Sequence, residues 1–136
     1  MSRLPDARWL FALVLAAWCG PASADAPDCT GPGAIADADL CMAQDFERLD
    51  RALGDAVRDL LAQMEAFAAS GACSSCSAEQ LDRAQRQWLR FREDDCEAVY
   101  AIAADGSGRN QARLDCLIDH TRTRTVQLDT LYRRAL

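Results

Sequence analysis

The 136-residue sequence has no lysine. Its 15 cations are all arginines, set against 21 Asp and Glu, for a net charge of −6. It has one histidine, His120, with Asp119 beside it and no nucleophile pattern nearby, so we read it as a surface or packing residue rather than a catalytic base. No stretch alternates polar and apolar residues as a half-buried strand would, and no segment repeats. No apolar run approaches the roughly twenty residues of a membrane-spanning helix. Gly-rich phosphate loops, H-E-x-x-H and calcium-loop spacings are missing too; Asp105-Gly106-Ser107-Gly108 lacks the carboxylate spacing of a calcium site. These absences argue against a β or membrane-spanning protein. They imply no enzyme, no metal and no cofactor. The acidic balance argues against nucleic acid and anionic membrane surfaces as partners and suits a cationic one, while also keeping the chain soluble.

The start of the chain is built for export. Arg3 and Arg8 precede the apolar run Trp9–Trp18, Gly20 and Pro21 break the helix, and Ala22-Ser23-Ala24 supplies small residues for a peptidase. The expectation is a signal peptide over 1–24, cleaved after Ala24, and one periplasmic or secreted domain over 25–136. The alternative is a lipoprotein anchored through Cys19, which the bulky Trp18 before it disfavours. Cleavage removes two arginines and one aspartate, taking the net charge to −7. It also removes Cys19, leaving Cys29, Cys41, Cys73, Cys76, Cys96 and Cys116, an even set that reads as three disulfides in a small exported domain.

After a Pro- and Gly-rich arm to about Gly33, hydrophobic periodicity predicts three helices. Leu40, Phe46, Leu49, Leu53, Val57, Leu60, Met64 and Phe67 mark the first, capped by Asp37 or Asp39 and weakened by Gly54. A loop over Ser70–Cys76 follows, and Ser77 with Gln80 forms a capping box. The second helix has its stripe at Leu81, Ala84, Trp88, Phe91, Ala98, Val99 and Ile102, with Asp95 on the same line. The turn Asp105–Gly108 ends it. The third runs from about Asn110 to the end, with Thr121 and Thr125 among Leu114, Leu117, Ile118, Leu128, Leu131 and Ala135. The fold class is therefore an all-α, up-down-up three-helix bundle stapled by disulfides.

The topology sorts the cysteines. Cys73 and Cys76 share the first loop and pair with each other. A rise of about 1.5 Å per residue sets Cys96 and Cys116 at similar heights across the second turn. That favours Cys96–Cys116 and leaves Cys29–Cys41. Cys29–Cys96 with Cys41–Cys116 stays open if the first helix bends.

Two features carry potential chemistry. Cys73-Ser74-Ser75-Cys76 is a C-x-x-C just before a helix start, where backbone N–H groups lower a thiol pKa. It reads as a loop staple, with a redox pair or half of a shared zinc site as alternatives. Asp50, Gln85, Arg92, Asp95, Thr121 and Arg124 flank the seam between three helices, with Trp88 among them. Arg92 and Arg124 are expected to bridge to Asp50 or Asp95 in a partly buried network that fixes how the helices align. The other reading is a set of surface ion pairs worth little.

The same residues carry a family resemblance. Cys29, Cys41, Phe46, Asp50 and Leu53, then A-Q-R-x-W-x-x-F-R over Ala84–Arg92 with Cys96, then Cys116-Leu117, Thr121, Arg124 and Leu128, resemble the LprI-type lysozyme-inhibitor domain. Gly54 and Val57 stand where that family tends to have Asn and Tyr, Glu93 replaces an Asp, and Cys73 and Cys76 are additions to the usual four cysteines. The resemblance implies an exported helical domain, some of whose relatives block lysozyme. It implies a cationic protein partner such as lysozyme, and it transfers framework residues rather than binding residues. A non-inhibitory envelope protein and a thiol–disulfide protein using Cys73 and Cys76 are the alternatives. Oligomeric state is not encoded in any of these features.

Overall fold

The computed structural model describes Cys29 and residues 35–136; the expected leader and cleavage site, Cys19 and most of the Pro- and Gly-rich arm lie outside the described residues. Among the described residues the fold is made of three α-helices: α1 over Ile35–Ser70, α2 over Ala78–Ile102 and α3 over Arg109–Gln127. No strand occurs among the described residues. At 1.5 Å per residue α1 is about 54 Å long and α2 about 37 Å. The short second connection makes α2 and α3 antiparallel, and α3 runs parallel to α1: Asn110 meets Asp39 near the start of both, and Arg122 meets Asp45 further on.

The helix ends follow local chemistry. Gly71 closes α1 at φ 77°, a backbone conformation in which a side chain is strained, and its N–H bonds the carbonyl of Ala68. Ser77 is extended and its hydroxyl accepts the Gln80 N–H at 3.2 Å, capping α2. α1 begins at Ile35, so Asp37 and Asp39 both fall inside the helix rather than at its start. Asp39 lies inside the helix and instead accepts the Asn110 side chain at 3.3 Å.

The apolar core is small. Leu53, Val57 and Leu60 of α1 meet Leu81 of α2 and Leu128, with Met64, Trp88, Tyr132 and Leu136 packed around them. A fully buried leucine contributes about 2 kcal/mol, so this core needs the disulfides and the polar seam beside it. The structure bonds Cys29 to Cys41, Cys73 to Cys76 and Cys96 to Cys116.

Two further expectations are corrected. First, the buried face of α2 follows the expected stripe at Leu81 and Trp88 and departs from it beyond them. Leu81, Gln85, Arg92 and Cys96 are buried, whereas Phe91 is 54 % and Ile102 86 % exposed. The Cys96–Cys116 bridge fixes the rotation of α2 against α3, which carries the polar line inward and the Phe91 line outward. Second, α3 does not run regularly to the end. It passes into a π-helical turn over Leu128–Tyr132 and a 3-10 turn over Arg133–Ala135. Thr121, Thr125 and Thr130 each donate their hydroxyl to the carbonyl four residues back, at 2.7 to 2.9 Å. Such bonds compete with the backbone N–H groups for those carbonyls and loosen the helix.

Candidate functional site

The polar seam crosses all three helices and is centred on Arg92. Its side chain is 4 % exposed. One terminal nitrogen donates to Oδ1 of Asp50 on α1 at 2.6 Å and to Oγ1 of Thr121 on α3 at 2.9 Å; the other reaches Glu93 at 3.1 Å. Thr121 is itself fully buried and its hydroxyl donates a hydrogen bond to the Leu117 carbonyl at 2.7 Å. The guanidinium lies 5.1 Å from the Phe46 ring and 5.2 Å from the Trp88 ring. Cation–π attraction at desolvated sites reaches about 2 kcal/mol, and here it helps offset the desolvation of Arg92, whose buried Nε has no acceptor among the described residues.

Arg124 sits one layer along the bundle. Its Nε donates to Oε1 of Gln85 at 3.0 Å and NH1 to Gln127 at 3.4 Å, with the guanidinium 5.7 Å from Trp88 and 5.8 Å from Tyr132. Trp88 therefore packs against both arginines. Asp50, Gln85, Trp88, Arg92, Thr121 and Arg124 share one seam, and Arg124 meets amides rather than a carboxylate. Asp95 does not join them. It is half exposed and accepts His120 Nε2 at 2.8 Å on the outer side of the α2–α3 pair. The periodicity that placed Asp95 inward was drawn through Phe91, which faces out. A phase drawn through Leu81, Gln85, Arg92 and Cys96 finds the buried line.

Further ion pairs tie the surface together. Glu93 and Glu97 of α2 hold Arg113 of α3, and Asp45 holds both Arg48 and Arg122. Two depressions lie at opposite ends. One, about 610 Å³ and open, is lined by Cys29, Cys41, Asp45, Arg48, Asp115 and Arg122. The other, about 360 Å³, lies beside the Cys73–Cys76 bridge and is lined by Met64, Leu81, Tyr132 and Leu136. Cys96, Cys116 and His120 bring ligand-type atoms within 4.8 Å of one another, but the two sulfurs are bonded to each other. Cys73 and Cys76 are likewise joined.

The seam and the three disulfides all fall inside a stretch that matches a known family. The profile described as lysozyme inhibitor LprI matches residues 29–128, from the first cysteine of the framework to the buried leucine that ends the core. The chain belongs to the LprI family. An uncharacterized protein of Rhizobium meliloti (strain 1021) is 32 % identical over 113 residues, covering 80 % of this chain and 81 % of that relative. No solved structure matches. As an LprI protein, the chain carries Arg92, Thr121, Arg124 and all three disulfides within the matched span. Among the described residues no helix is long and apolar enough to cross a membrane.

Proposed function

We propose that this LprI-family chain is an exported, non-catalytic binding protein that captures lysozyme and shields the cell wall from it. The observation that carries this reading is the family match over residues 29–128. Three disulfides suit an oxidising compartment. After cleavage near Ala24 the net charge of −7 steers a cationic partner toward the protein.

The loop between α1 and α2 supports insertion into a sugar-binding cleft. Ser74 and Ser75 are exposed at its tip, and Cys73–Cys76 and Gly71 hold its shape. A preordered loop loses little entropy on binding. A lysis assay with purified exported protein tests the reading. Micromolar protein is expected to slow lysis of bacterial cells by at least one lysozyme type; no protection against any type contradicts inhibition.

The same loop supports a second reading as a thiol–disulfide pair, because Cys76 directly precedes the N-cap of α2. A reduction potential between about −270 and −120 mV favours that reading, and one below about −300 mV marks a structural staple.

A further inference from the structure

The corrected rotation of α2 leaves part of its apolar pattern without an intramolecular partner. Phe91, Ala98 and Ile102 follow at spacings of seven and four, the period of a helix seam, yet all three are exposed. Single exposed apolar residues are ordinary; a line of them at seam spacing, about 17 Å long at the helical rise, matches a surface for another molecule.

Its anchor is held rigidly. His120 meets the Phe91 ring edge-on at 5.5 Å, Asp95 holds His120 at 2.8 Å, and the Cys96–Cys116 bridge locks the two helices beside them. An aromatic side chain fixed before binding is a typical interface hot spot.

The charge around the line identifies the occupant. From Phe91 to Ile102 the outer surface of α2 bears Glu93, Asp94, Asp95 and Glu97, of which Glu93 and Glu97 are held by Arg113 of α3 and Asp95 by His120. The one cation in that stretch, Arg92, is turned inward and 4 % exposed. Asp94 has no ion-pair partner among the described residues. A second copy of the chain would bring like carboxylates together across a twofold axis, which is unfavourable. A cationic surface meets both the carboxylates and the face of the Phe91 ring favourably.

We propose that the Phe91–Ile102 face of α2, with Asp94 and Asp95 at its centre, is the docking surface for a cationic protein. This rests on the lysozyme-binding reading and gives that reading a surface. The Cys73–Cys76 loop lies about 22 Å back along α2 from Phe91 and about 39 Å from Ile102, so one partner meets both only by spanning most of the helix.

The test compares the affinity of exported wild-type protein, Phe91→Ser/Ile102→Ser, Asp94→Arg and the control Asp59→Arg on α1. The partners are several lysozymes and two cationic non-lysozymes, cytochrome c and ribonuclease A. Circular dichroism melting first confirms that each variant folds; Asp94→Arg keeps the proposal testable should the double variant fail. Expected are losses of about tenfold or more for the double variant and for the charge reversal, with Asp59→Arg close to wild type. Unchanged lysozyme affinity in both face variants overturns the surface and leaves lysozyme binding standing. Binding only of a non-lysozyme, lost in the face variants, supports the surface and overturns the lysozyme reading. Binding of no cationic protein overturns the proposal, as does a wild-type dimer in sedimentation that Phe91→Ser/Ile102→Ser makes monomeric.

Discussion

Arg92 and Thr121 join α2 to α3 inside the bundle: a guanidinium N–H is donated at 2.9 Å to a hydroxyl with no solvent exposure, and the same nitrogen reaches Asp50 of α1 at 2.6 Å. One nitrogen thereby fixes the relative height of three helices. Apolar contacts alone tolerate sliding; this arrangement does not.

Removing Arg92 therefore has a large effect on stability. Arg92→Ala leaves the buried Thr121 region unfilled, frees Asp50 and takes the cation from the Phe46 and Trp88 rings. The expected loss is about 3 kcal/mol. Arg92→Lys restores less than half of it, because an ammonium cannot hold three acceptors in the same planar arrangement. Urea unfolding followed by Trp88 fluorescence measures both. A loss below about 1 kcal/mol for Arg92→Ala contradicts a central role for the seam.

The disulfides rank by the length of chain they close. The sequence separations are 20 for Cys96–Cys116, 12 for Cys29–Cys41 and 3 for Cys73–Cys76. Chain-entropy arguments give about 3 kcal/mol for the two longer bridges and about 2 kcal/mol for the shortest. Cys96 is also fully buried. The paired serine replacements at 96 and 116 are expected to lower the melting temperature most, and those at 73 and 76 least. The reverse order contradicts the loop-staple assignment of Cys73–Cys76.

The two glycines of α1 and its exit have opposite tolerances. Gly54 is helical, and a Cβ there meets only the end of the Arg58 side chain at 3.9 Å. Gly54→Ala is expected to stabilise by about 0.8 kcal/mol. Gly71 has open space around it but sits at φ 77°, so Gly71→Ala is expected to destabilise by about 1 kcal/mol. Thermal melts of the two variants shifting in the same direction contradict this account.

The helices were legible in the sequence because their apolar residues recur every three or four positions and because Ser77, Gly71 and the Asp105–Gly108 turn punctuate them. The face that α2 buries was not. Phe91, Ala98 and Ile102 look more apolar than Gln85 and Arg92, so periodicity places Leu81 and Trp88 correctly and turns the later part of the helix the wrong way. The burial of Arg92 depends on Asp50, which lies 42 residues away, and on Thr121, 29 residues away. That proximity is a product of the fold. The π-helical turn after Gln127 was likewise hidden, since threonines on an apolar stripe read as weak helix formers rather than as hydroxyls competing for carbonyls. Asp95 followed the misplaced stripe, and its pairing with His120 follows from the same rotation.

Direct titration of the purified protein with cationic lysozymes, at low and at high salt, tests the central claim most closely. Saturable binding at micromolar or lower concentration is predicted, weakening by about tenfold or more as salt rises from about 0.05 to about 0.5 M, where the screening length falls to a few ångströms. Absence of binding to every lysozyme at low salt would contradict the account.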